Sequence, residues 1–187
     1  MTAATAMLLF PGAGSSSDHS SLVAIERAVA PLPCRRADFP YRLAGRRAPD
    51  RPPVLLRAVA EEAAALDSSR VVLGGRSMGG RMCSMAVASG SVESIGLVLI
   101  SYPLHPPGKP DRLRVEHLAH LHVPCLFVHG TSDSFGTPDE LIEWTATIPG
   151  EVRHVWIERG HHDLKGADEL VAAAVVEWLA GLTRPAG

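Results

Sequence analysis

The chain has 187 residues, 46% of them apolar, with 18 Lys and Arg against 20 Asp and Glu and a formal net charge of −2. A chain of this size buries roughly two thirds of its unfolded surface around one core, so a single domain spanning 1–187 is expected. The near balance of charge argues against nucleic acid or an anionic membrane as partner and leaves a small molecule as the expected one.

No run of about 18 apolar residues is present, and the first ten residues have neither a basic n-region nor an apolar stretch long enough for a signal peptide. Cys34, Cys83 and Cys125 are odd in number, and at least two fall in apolar runs, as reduced core residues would. A soluble, unprocessed, cytoplasmic protein is therefore expected.

In chain order, a buried strand is predicted over 6–10, followed by the glycine-rich turn Pro11-Gly12-Ala13-Gly14-Ser15 and a helix over 20–29. An Arg- and Pro-rich stretch, 31–53, holds at most one further strand near 34–39 and then a loop. Its arginines read as a solvated face. A helix over 54–66 leads to a strand over 70–74, a helix over 79–89 and a strand over 95–101. After the proline-rich segment 102–110 come a strand over 123–129, a helix over 138–147, a strand over 152–158 and a last helix over 167–182. For the 138–147 helix, Thr137 is placed to cap, Pro138 to take the first position and Glu140 to close a capping box. The alternation of strand and helix predicts a three-layer α/β/α sandwich around a mainly parallel sheet, with ligands bound at the carboxyl ends of the strands.

Gly75-Arg76-Ser77-Met78-Gly79 lies between a buried strand and a helix, the setting of a nucleophile elbow. A serine there sits in a strained turn with its hydroxyl raised above the sheet, and flanking glycines admit the close backbone. The spacing and the Lys-Ser/Thr pair of a phosphate-binding P-loop are missing. Such a serine needs a histidine base and a carboxylate that fixes the histidine tautomer. The elbow resembles that of the α/β hydrolases, and this resemblance implies a carboxylate after a later strand and a histidine after the last one. Asp133, in the loop leaving the 123–129 strand, is the candidate acid, since Asp139 and Glu140 are accounted for by the helix start. His161 and His162 both follow the last strand. His129 reads as a structural hydrogen-bonding residue, and the spacing of His105, His117, His120 and His122 predicts no metal site.

An oxyanion formed at Ser77 needs two N–H donors. Met78, directly after the serine, supplies one; the 11–15 turn supplies the other, through Ala13 or the adjacent Gly14. The same turn is a poor dinucleotide loop, because Ser17 stands where the third glycine belongs. Arg76, beside the serine, fits either attraction of an anionic substrate or a supporting salt bridge.

With these pieces in place the chain resembles the dienelactone-hydrolase-like α/β hydrolases, and more closely their short KANL/Tex-type branch. The resemblance covers nearly the whole chain. It rests on Pro11-Gly12-Ala13-Gly14, on Gly74-Gly75-Arg76-Ser77-Met78-Gly79-Gly80-Arg81, on the 102–110 segment and on the segment 127–138. It implies a capless α/β-hydrolase fold, a triad of Ser77, Asp133 and His162 in preference to His161, and no cofactor. The expected activity is hydrolysis of a small ester, thioester or lactone through an acyl-enzyme. The pocket is expected to be shallow and rimmed by Gly14, Tyr102, His105 and the rest of 102–110, Ser134 and Phe135. Alternatives are a catalytically weak interaction module, and an acyltransferase or perhydrolase using the same triad.

Overall fold

The computed structural model describes residues 3–182. Six strands, all parallel, form one sheet: β1 (Ala6–Phe10), β2 (Cys34–Arg36), β3 (Val71–Arg76), β4 (Gly96–Ile100), β5 (Cys125–Gly130) and β6 (Val152–Ile157), in the spatial order β2-β1-β3-β4-β5-β6. The chain starts one place in from an edge, steps outward once to β2, then returns past β1 and winds across to β6. The order reverses between β1 and β3, and sheets of this kind bind their ligands beyond the carboxyl ends of the strands at such a reversal.

The pleat sends alternate side chains to opposite faces, and each face is sealed by its own helices. Met7, Leu9, Val72, Val98, Ile100, Leu126 and Val128 pack beneath α1 (Ser20–Ala28) and α6 (Asp168–Leu182) with Leu22, Ile25, Val171, Val175 and Trp178. Leu8, Phe10, Leu73, Leu99 and Phe127 face α3 (Pro52–Ala64) and α4 (Met78–Ala88), and Leu141 of α5 (Pro138–Thr145) joins the same core. The predicted three-layer sandwich is the observed one. Thr137 caps α5, with its side chain accepting from Glu140 N–H while Glu140 accepts from Thr137 N–H at 2.8 Å.

Two segments differ from the sequence expectation. β2 is only three residues long, and the stretch beyond it forms a one-turn helix, α2 (Pro40–Leu43), which carries the fully buried Tyr41. Phe39 at its N-cap stacks on Phe10 with ring centroids 4.9 Å apart. One helical turn is too short for its spacing to register as periodicity. β3 runs on through Gly75 and Arg76, which pair with Leu99 and Ile100, so the glycines that look like strand breakers lie inside the sheet.

Among the arginines of 31–57, Arg35, Arg36, Arg46 and Arg57 each meet an acidic side chain, as a solvated face does. No helix among the described residues is long and apolar enough to cross a membrane.

Candidate active site

The elbow between β3 and α4 is fixed by its backbone. Ser77 has φ 50° and ψ −116°, a conformation that L-residues rarely adopt, and its N–H donates to Ile100 O of the neighbouring strand at 2.8 Å. A Cβ on Gly75 would lie 2.3 Å from Phe10 O, and one on Gly79 would lie 2.4 Å from the same oxygen. Only glycine permits β1, the elbow and α4 to approach so closely.

The Ser77 hydroxyl stands 2.8 Å from His162 Nε2. His162 Nδ1 in turn lies 2.8 Å and 3.0 Å from the two carboxylate oxygens of Asp133. A carboxylate only accepts, so Nδ1 carries the proton and Nε2 presents its lone pair to the serine. Asp133 is fully buried at its side chain, and Phe135 N–H donates to its Oδ1 at 2.8 Å. The Phe135 ring stacks on the His162 imidazole at 3.9 Å and 23°. The next residue back along the chain, His161, points away: its ring is exposed and its Nδ1–H donates to Ser132 O at 3.2 Å.

His129 lies beneath this cluster, fully buried, and its Nε2–H donates to Gly136 O at 2.9 Å. Burial pushes its pKa below the ordinary value against the field of Asp133, so it is a neutral brace for the acid loop. The three thiols are unpaired; burial pushes Cys34 and Cys125 up to about 12 and Cys83 upward as well, which favours the protonated thiol over the reactive thiolate.

Met78 N–H opens α4, where a helix has no acceptor of its own to offer. In the 11–15 turn Gly14 has φ 72° and gives its N–H to the Tyr41 hydroxyl at 3.3 Å, whereas Ala13 is exposed and its N–H meets no acceptor among the described residues. Asp38 holds the chain just after this turn, with its two oxygens accepting from Ser17 N–H and Oγ–H at 2.8 Å each. Asp38 and Tyr41 thus support the site from a stretch whose sequence suggests only a short strand and a loop. Their contacts are with residues more than twenty positions away, so no local pattern announces them.

Two expected rim residues are not at the rim. Tyr102 is fully buried, edge-on to Phe127, with its hydroxyl 3.0 Å from Ser84 Oγ and 2.9 Å from His117 Nε2. His105 is 5% exposed; its Nδ1–H donates to Pro106 O at 2.9 Å and its Nε2 lies 3.5 Å from Glu140 Oε1. The chain turns inward at Ser101, where φ is 48°, and 101–105 pack as core before the segment emerges at 107–112. Ser134 is exposed and Phe135 half-buried, beside the imidazole. Among the described residues no group of His, Cys, Asp and Glu is arranged to hold a metal ion.

A doubly wound parallel sheet with a strained serine turn after its third strand defines the α/β-hydrolase class. The chain matches the family described as "Alpha/beta hydrolase domain" over residues 3–173, and it belongs to that family. Solved structures of the same fold include Est1E from Butyrivibrio proteoclasticus, with a TM-score of 0.75 and 17% identity over 97% of this chain and 89% of that one. The monoacylglycerol lipase of Paleococcus ferrophilus gives a TM-score of 0.75 at 14% identity, covering 97% of each chain. The type II thioesterase BorB of the borrelidin biosynthetic cluster gives 0.71 at 18% identity, covering 96% of this chain and 95% of that one.

Proposed function

We propose that the protein is a serine hydrolase that cleaves a small ester, thioester or lactone, with Ser77 as nucleophile, His162 as base and Asp133 as the group that orients it. The reading rests above all on the continuous relay from Ser77 Oγ through His162 to the buried Asp133, with 2.8 Å at both joints. Ser77 Oγ attacks the acyl carbon while Nε2 takes its proton, and the charge appearing on the carbonyl oxygen is met by the N–H groups of Met78 and Ala13. As the tetrahedral intermediate collapses, the carbon–oxygen or carbon–sulfur bond to the leaving group breaks and His162 returns the proton to that group. Water, deprotonated by the same imidazole, then releases the acid from Ser77.

A lipase and a thioesterase among the structural neighbours support this substrate range. Within the family the motifs at 11–14, 74–81 and 127–138 favour the dienelactone-hydrolase-like branch. Unpaired thiols, two of them buried, suit a reducing, cytoplasmic setting. The test is labelling of the folded chain with a fluorophosphonate probe: wild type should label at Ser77, and Ser77→Ala and His162→Ala should not. An unlabelled wild type would remove the enzyme reading, and label lost in His161→Ala but kept in His162→Ala would move the base.

A further inference from the structure

Ser77 follows β3 and His162 follows β6, strands that stand three places apart in the sheet, about 14 Å across at the usual inter-strand spacing. The loop 158–167 must reach back over that distance to put the imidazole above the serine. Toward β5 it is well tied. Ser132 N–H donates to Gly160 O at 2.9 Å, Arg159 N–H donates to Thr131 Oγ1 at 2.8 Å, and His161 donates to Ser132 O. Backbones approach so closely there that a Cβ on Gly130 would fall 2.1 Å from Gly160 O. These ties set base against acid. They do not set base against nucleophile.

Across to β3, the described residues provide one hydrogen bond besides the Ser77–His162 contact itself: Arg76 Nη2 donates to His162 O at 2.5 Å. Arg76 is 9% exposed, its Nε has no partner, and no carboxylate of the described residues comes within ion-pairing distance. Burial depresses its pKa, with Asp163, Asp133 and Asp168 opposing from further off. A desolvated guanidinium without an ion pair is costly to the fold, and an apolar chain of the same length would pack there at less expense in stability. A charged donor on a carbonyl is, in contrast, a strong and directional tie.

Resting on the hydrolase reading of the same site, we infer that Arg76 is a positioning residue: it latches the His162 backbone to the nucleophile strand and so holds Nε2 within reach of Ser77 Oγ.

The test compares wild type, Arg76→Met and Arg76→Lys as full chains, on p-nitrophenyl acetate and on an ester bearing a carboxylate, with melting temperature and amide hydrogen exchange measured alongside. A latch predicts that Arg76→Met lowers kcat about 100-fold on both esters, the scale of a misplacement of about 1 Å, with KM within about twofold. The melting temperature should hold or rise, exchange across 158–167 should accelerate about tenfold, and Arg76→Lys should recover part of the rate.

Loss confined to the carboxylate ester through KM would make Arg76 a substrate-binding residue and overturn the latch. So would unchanged kcat, or a loss that follows a falling melting temperature and is not recovered by lysine. A wild type inert toward both esters overturns the proposed activity instead, and the exchange of 158–167 then decides the latch alone: unchanged exchange in Arg76→Met sinks it.

Discussion

Two serine–histidine pairs lie about two turns apart along α4, and they are built for opposite ends. Ser77, at the N-cap, is 2.8 Å from His162 Nε2; Ser84, inside the helix, is 2.9 Å from His117 Nε2. Distance does not separate them. The difference lies on the far side of each imidazole. His162 faces a buried carboxylate, which holds the proton on Nδ1 and leaves the lone pair on Nε2 toward the serine.

His117 has no such partner among the described residues. The sequence His117 Nε2–H to Tyr102 hydroxyl to Ser84 hydroxyl to Arg81 O uses each proton once and ends on a carbonyl, at 2.9, 3.0 and 2.9 Å. Ser84 sits in ordinary helical backbone with no exposure, and its hydroxyl donates to its own helix. One pair stands on a strained turn at the carboxyl end of β3; the other pins the 102–117 segment to α4.

The largest effect that discriminates the pairs is on covalent labelling. Ser77→Ala should abolish fluorophosphonate labelling and lower ester hydrolysis by about 10⁶-fold, the scale found when a serine nucleophile is removed. Ser84→Ala should label like wild type. Label lost in Ser84→Ala while the protein stays folded would break the distinction. Next in size is the carboxylate: Asp133→Asn should lower kcat by about 10⁴-fold with little change in KM, because an amide no longer enforces the Nδ1–H tautomer. A loss below about tenfold would mean that the carboxylate is not what sets the two histidines apart.

The sequence revealed these two pairs very unequally, for physical reasons. The motif is legible because the close approach of β1, β3 and α4 demands glycine at both Gly75 and Gly79, which bracket Ser77 within five positions. Parallel winding then places Asp133 and His162 at the ends of later strands, so chain order stands in for geometry. The second pair has no such local constraint. Tyr102 and His105 sit in a proline-rich stretch that reads as a surface rim, and only the inward turn at Ser101 and the waiting hydroxyl of Ser84 make them core. The Arg76 contact joins residues 86 positions apart, and α2 is a single turn; neither leaves a periodic trace.

Smaller effects concern stability. Desolvation first, and then Arg81, lower the His117 pKa from its ordinary 6.5 to about 4, with Glu116 opposing and His120 reinforcing. The folded protein therefore keeps His117 neutral while the unfolded chain protonates it. Its contribution is fully present above pH 6.5 and is lost as pH falls toward 4. Between pH 7 and 5 this amounts to at most about 2 kcal/mol. His19, His129 and His154 are also lowered, chiefly by burial, and add to the same acid limb. His117→Gln, measured by urea unfolding at the two pH values, should shrink the pH-dependent loss by about that amount. An undiminished loss would show that the burial of His117 does not contribute to the acid limb.

The smallest effect belongs to Ser84 itself. Replacing it with Ala removes an acceptor for Tyr102 and a donor to Arg81 O, but the Tyr102 hydroxyl can still donate to His117 Nε2 once that nitrogen gives up its proton. The pair therefore rearranges rather than leaving a buried hydroxyl unmatched. The cost should stay near 1 kcal/mol, below the penalty for a stranded buried donor, and appear as a fall of a few degrees in melting temperature with ester hydrolysis unchanged. Ser84→Ala combined with His117→Gln should then cost less than the sum of the two, because each change disturbs the same hydrogen-bonded unit. Strict additivity would show that Ser84 and His117 act separately, and would remove the view of this second pair as one buried fastening distinct from the Ser77–His162 pair.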